Sequence, residues 1–154
     1  MDNLPMPPDT CAPLPASLLP HSPPMVLIDT IDQWDCDSIQ CSAHSHLYES
    51  NPLRDRGRLS VFTGVEYAAQ AMAAHARLSQ PSGEPPGKGF LAVASRLKAS
   101  VDTLDHYRAP LRITARALAQ NTGSSMYQFR LESEGHCLLE GQLTAVVEPS
   151  VPGN

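Results

Sequence analysis

Residues 59–79 run without a proline in a chain that holds fifteen of them. The segment is rich in Ala and places Val61, Val65, Ala69, Met72 and Ala76 at helical spacing. This predicts one long amphipathic helix over residues 59–79. Its apolar stripe consists mostly of small side chains, which let the helix backbone approach another surface closely. Such a helix suits being clasped by a sheet. The turn-rich stretch Pro81-Ser82-Gly83-Glu84-Pro85-Pro86-Gly87 ends it.

Beyond that loop the periodicity changes from 3.6 to 2. Leu91, Val93, Leu97, Ala99 and Val101 share one parity, and Leu111, Ile113, Ala115, Ala117 and Ala119 likewise fall on alternate positions. Both sets predict half-buried strands. Tyr127, Phe129 and Leu131 continue the pattern after the turn Asn121-Thr122-Gly123, and Cys137, Leu139, Leu143, Ala145 and Val147 repeat it after Glu134-Gly135. Ahead of the helix, Val26, Leu27, Ile28, Ile31 and Trp34 predict a strand over residues 25–34. Residues 38–47 form its hairpin partner, with Asp35-Cys36-Asp37 as the turn. Two strands, one helix and then a run of strands is an α+β order, with the helix packed on one sheet face. A length of 154 residues fits one core. Eight of the fifteen prolines fall in the first 24 residues, where they deny the backbone donors and fix φ. The expected organisation is a proline-rich arm over 1–18, one domain over 19–148 and a tail over 149–154.

Charge and composition exclude several partners. A net charge of -5 without a block of Lys and Arg offers nothing to neutralise a nucleic-acid backbone or an anionic membrane surface. No apolar run reaches membrane-spanning length and the N-terminus lacks the pattern of a signal peptide, so a cytoplasmic location is expected. Cys11, Cys36, Cys41 and Cys137 make no C-x-x-C pair and read as reduced thiols. His44 and His46 would share a strand face, but no nearby Cys, Asp or Glu completes a zinc set, so no metal is expected.

Glu66 lies within about two turns of the predicted helix start, with Gln70 one turn further on the same face. On pattern alone Glu66 reads as a solvent-facing acid favoured by the helix dipole. Resemblance gives it a different weight. Leu19-Pro20-His21-Ser22-Pro23-Pro24-Met25-Val26-Leu27-Ile28-Asp29 resembles the opening motif of the 3-hydroxyacyl-acyl carrier protein dehydratases. Glu66-Tyr67-Ala68-Ala69-Gln70 is similar to that family's Glu-Ala-Met-Ala-Gln, and Gly64-Val65-Glu66-Tyr67 is closer still to the dehydratase-like proteins of aryl polyene clusters. Gly89-Phe90-Leu91, entering the first later strand, also agrees, so the resemblance covers residues 19–147.

The resemblance implies a hotdog fold, in which a curved antiparallel sheet wraps one long central helix. It also implies a dimer with sheets joined edge to edge and an acyl tunnel at the interface. No cofactor is implied, because the substrate arrives on the phosphopantetheine arm of an acyl carrier protein or of CoA. In the family a histidine before the helix removes the proton alpha to the thioester carbonyl, and the helix carboxylate of the other subunit handles the leaving hydroxyl. Glu66 matches that carboxylate, and Gln70 stands beside it. Backbone amides near the helix start, around Ser60, Val61 and Phe62, would hold the thioester oxygen.

The sequence departs from the family where its Gly-His-Phe-Pro should stand, reading Glu49-Ser50-Asn51-Pro52-Leu53. Asn51 and Pro52 are the nearest match and are expected to line the substrate. An amide donates a hydrogen bond but takes no proton at pH 7. The family's Pro-Gly at the helix entrance is replaced by Leu59-Ser60-Val61. Of the other histidines, His46, His75 and His106 are weak stand-ins for the base, and His21 suits capping or packing. Arg54, Arg56 and Arg58 alternate ahead of the helix and fit either the carrier arm and an acidic carrier protein or a solvated loop. Three functions follow from this set. The chain is a 3-hydroxyacyl thioester dehydratase, as a homodimer or beside a second hotdog subunit that supplies the histidine; or an acyl thioesterase using the helix carboxylate; or a non-catalytic acyl-binding subunit.

Overall fold

Asp35 reverses the chain between the first two strands. Its Oδ1 accepts the amides of Asp37 at 2.8 Å and Ser38 at 2.9 Å, and these two bonds hold its carboxyl below the usual carboxylate range. The computed structural model describes residues 25–79, 88–121 and 123–148. The expected arm at 1–18, the motif residues before Met25, the loop at 81–87 and the tail lie outside the described residues. The elements are β1 Thr30–Trp34, β2 Ser38–Ala43, α1 Gly64–Leu78, β3 Lys88–Ala99, β4 Leu111–Asn121, β5 Ser124–Ser133 and β6 His136–Glu148. All strand pairs are antiparallel, in the order β1-β2-β4-β5-β6-β3. The strand that follows the helix therefore lies at the far edge, and β4 returns beside β2.

The sheet buries one face against α1. Leu111, Ile113, Ala115, Tyr127, Phe129, Leu131, Leu139 and Leu143 are all buried, in the alternation the sequence predicts. The helix meets this face at Gly64, where an added Cβ would fall 2.8 Å from Leu131 Cδ2 and 2.9 Å from Leu139 Cδ2. Only a residue without a side chain lets the first turn sit this close to the sheet. Among the described residues, one α-helix on a six-stranded antiparallel sheet makes the α+β hotdog arrangement that the resemblance implies.

Several boundaries differ from expectation, each because a long-range polar contact overrides local pattern. The helix starts at Gly64, not 59, after a 3-10 turn at Val61–Thr63. The Val61 amide donates to Asp102 at 2.9 Å and Ser60 bridges Thr103, which draws residues 59–61 out of the helix. The first strand is Thr30–Trp34 alone, since Met25 and Leu27 are held by Gln70 instead of a strand ladder. β2 ends at Ala43 and Ser45–Leu47 forms a 3-10 turn, because Asp29 accepts the His44 amide at 2.6 Å. His44 and His46 thus share no strand face: His44 is exposed and His46 is buried.

The helix stripe is rotated as well. Ala76 is exposed, whereas Tyr67, Gln70 and His75 are fully buried beside Ala68, Ala71, Met72 and Ala74. Polar tips enter this core because each finds a partner. His75 Nε2–H donates to the Asp35 carbonyl at 2.8 Å, while its Nδ1 accepts the Tyr127 hydroxyl at 2.5 Å. β3 breaks the expected alternation outright. Register irregularities at Leu91/Val93 and Ser95/Lys98, with Arg96 at φ 54°, leave Val93 52% and Leu97 38% exposed. Val101 lies beyond the strand's end.

Candidate active site

Glu66 stands in the first turn of α1, where the helix dipole favours a carboxylate. Its stripe, with Ala69 and Ala73 at helical spacing, is half-buried, and Phe62 one turn earlier is 55% exposed. Glu66 makes no hydrogen bond or ion pair with another described residue. The carboxylate is therefore poised on the helix face that this chain leaves open, next to side chains too small to cover it.

Gln70 points elsewhere. Its Oε1 accepts the Leu27 amide at 2.9 Å and its Nε2 donates to the Met25 carbonyl at 2.6 Å. Its carboxamide thereby anchors the segment leading into β1 against the helix. A buried amide with two main-chain partners acts by positioning.

Asn51 is fully committed within the chain. Its Nδ2 donates to the Ser45 carbonyl at 2.9 Å and to the Tyr67 hydroxyl at 3.1 Å, and its Oδ1 accepts the Leu53 amide at 2.8 Å. The Tyr67 hydroxyl donates to Ser45 Oγ at 2.8 Å, and Ser45 donates on to the Leu27 carbonyl at 2.7 Å. Burial pushes the Tyr67 phenol above its ordinary pKa, so it remains a donor at neutral pH. These bonds form a closed hub that ties the loop at 45–53 to α1. Sequence reasoning missed Tyr67 and Ser45, and no spacing signal links positions 22 residues apart.

Asn51 and Pro52 line a cavity of about 190 Å³ with Val26, Asp29, Ser45 and Tyr48. Ser60, Val61 and Phe62 lie apart from it. That volume is below the roughly 300–1,000 Å³ of ordinary small-molecule sites, so this cavity encloses no full acyl-pantetheine chain. The amides at the helix entrance are also engaged. Val61 donates to Asp102, Phe62 to Ser60 Oγ at 3.2 Å, Thr63 to Ser60 at 3.0 Å, and Gly64 back into the 3-10 turn. The amides of Val61, Phe62, Thr63 and Gly64 thus each have an acceptor within the chain.

The three arginines separate into two kinds. Arg54 donates Nε to Tyr48 O, Nη1 to Gly57 O and Nη2 to His46 O at 2.8, 2.8 and 3.0 Å. It braces the loop from inside. Arg56 and Arg58 are exposed and free to meet an anion.

His46 is fully buried, with Nε2–H donating to Tyr107 O at 2.6 Å and Nδ1 left as an acceptor without a protein partner. Burial, opposed by the Tyr107 and Ala109 carbonyls, holds its pKa below the ordinary value of 6.5. Enclosure keeps it from reaching a substrate. It also sets a pH dependence: the unfolded chain binds the proton more tightly, so the stability is complete above 6.5 and declines as pH falls from there toward the folded pKa. The thermal midpoint should be lower at pH 5.5 than at 7.5, with a smaller drop in His46→Gln. An unchanged drop in that variant would acquit His46.

The sequence matches the ApeP-like family, described as ApeP dehydratase, over residues 13–152. This chain belongs to the ApeP-like dehydratase family. No curated protein matches it in sequence. Among solved structures the ApeP-like chain is similar to the dehydratase heterocomplex ApeI:P from Xenorhabdus doucetiae, with TM-score 0.79 and 18% identity over 89% of this chain and 92% of that one. AziG from S. sahachiroi aligns with TM-score 0.60 and 12% identity over 82% and 94%. A mutant of thioesterase PA1618 from Pseudomonas aeruginosa aligns with TM-score 0.57 and 18% identity over 80% and 82%. At such identities the structural likenesses establish the hotdog fold. No described helix of the ApeP-like chain is long and apolar enough to cross a membrane.

Proposed function

We propose that this chain is one subunit of a 3-hydroxyacyl thioester dehydratase, in which Glu66 supplies the helix carboxylate and a second, different hotdog subunit supplies the histidine base. One observation carries the reading: Glu66 is unpaired on the open face of α1 while Asn51, at the position of the family's histidine, is bonded through every polar group it has. The partner's imidazole takes the proton from the carbon alpha to the thioester carbonyl. Glu66, entering the step as the carboxylic acid, gives its proton to the departing 3-hydroxyl, which leaves as water; a double bond forms between the alpha and beta carbons, and the proton taken by the imidazole restores the acid. The acyl group is carried on phosphopantetheine, from an acyl carrier protein or CoA, and the exposed Arg56 and Arg58 would meet its phosphate or an acidic carrier. The similarity to a heterocomplex of dehydratases supports the two-subunit assembly.

The test is to follow intact products by mass spectrometry when the purified chain meets 3-hydroxyacyl and acyl thioesters, alone and with a histidine-bearing hotdog dehydratase. Loss of water from the 3-hydroxyacyl thioester in the mixture, absent with the chain alone, is the expected result. Release of free thiol from plain acyl thioesters would replace this reading with a thioesterase. Binding without any turnover in either arm would make the chain an acyl-binding subunit.

A further inference from the structure

The strand β3 is the last in the sheet order, and one of its sides pairs with β6 while the other has no partner strand among the described residues. Residues 93, 94 and 96–99 are exposed, including the apolar Val93 and Leu97. Long apolar edges are an aggregation hazard unless covered or guarded by charge. The charge here has one sign: between 93 and 99 stand Arg96 and Lys98, with no acid. This is notable in a chain whose net charge is -5. The groups facing these cations are on β5 and β6. Glu140 pairs in register with Lys98 but also lies 3.7 Å from Arg130, which in turn lies 3.5 Å from Glu132. Both carboxylates are on inner strands and shared with Arg130, so the free edge itself remains cationic.

Two copies joined antiparallel along this edge would meet about a two-fold axis. Centred on residue 96, Arg96 opposes Arg96; centred on 97, each Arg96 opposes a Lys98. Every register near the bulge therefore sets like charges opposite or diagonal to one another, which destabilises a strand pair. Arg96 in the left-handed region further distorts a symmetric ladder there.

We infer that the β3 edge encodes partner choice, rejecting a second copy of this chain and selecting a hotdog subunit whose matching edge strand carries carboxylates. This rests on the two-subunit reading above and adds the chemistry by which the two subunits find each other.

The experiment needs only this chain. The double variant Arg96→Glu with Lys98→Glu is acidic along the same edge, so it imitates the proposed partner while leaving α1 untouched. Dissociation constants are measured by sedimentation and by fluorescence transfer for wild type alone, variant alone and their equal mixture. The mixed dimer should form at least about tenfold more tightly than either self-dimer at 50 mM salt, and the advantage should vanish at 1 M, where the screening length is about 3 Å. Wild-type self-dimers as tight as the mixed ones, or a mixture that does not associate, would overturn the inference. Should the double Glu variant fail to fold, Arg96→Gln with Lys98→Gln takes its place. Neutralising the edge should then tighten self-association, and an unchanged constant would overturn the inference equally. The readout is association alone, so failure here leaves the dehydration assay untouched, and failure there leaves this result standing.

Discussion

Glu66→Gln, assayed with a histidine-bearing partner, is expected to lower enoyl thioester formation by about 10²–10⁴, the range for loss of a positioned proton donor. Gln keeps the size and hydrogen-bonding reach of Glu but gives no proton to a leaving hydroxyl. The effect should fall on turnover, because Glu66 has no hydrogen-bond or ion-pair partner among the described residues whose loss would disturb packing. Stability should change by less than about 1 kcal/mol, the dipole contribution of a first-turn carboxylate. Steady-state kinetics and a thermal melt on the same preparation separate these effects. A variant that dehydrates at the wild-type rate would remove Glu66 from the chemistry; one that is inactive but melts many degrees lower would show a structural cause.

The parts of this fold that local sequence dictates were legible, and the parts set by contacts between distant segments were not. Absence of proline and abundance of Ala mark α1, and strict alternation marks β4 and β5, because helix and strand periodicity are local properties. The helix start is not local. It depends on Asp102 and Thr103 drawing residues 60 and 61 away. The faces of β3 were unreadable for a related reason, since two bulges reset the parity that alternation assumes. Glu66 was singled out through resemblance, and the structure sets it in the first turn of α1. Arg54 shows the limit of charge patterning: three alternating arginines look equivalent in sequence, yet one is bonded to three main-chain carbonyls and the other two are exposed.

Tyr67→Ala should cost about 3–5 kcal/mol, as for other buried aromatic truncations, whereas Tyr67→Phe should cost about 1–3 kcal/mol, the penalty of leaving buried polar groups unpaired. Tyr67 is fully buried, and its ring fills the core beside Ala68 and Ala71. With Phe the ring remains, but one Asn51 N–H loses its acceptor and Ser45 Oγ loses its donor. Ser45 still donates to Leu27 and Asn51 still reaches the Ser45 carbonyl, so the hub should weaken without dissolving. Urea and thermal unfolding measure both variants, with about 2–4 °C of melting temperature expected per kcal/mol. A Phe variant as stable as wild type would show that water substitutes for the hydroxyl and that the hub is open to solvent. The contrast bears on function because Tyr67 adjoins Glu66 on α1, and its hydroxyl joins that turn to the loop carrying Asn51. The Phe variant should therefore lose turnover beyond what its stability explains, with Glu66 intact but its helix turn less firmly set against the loop.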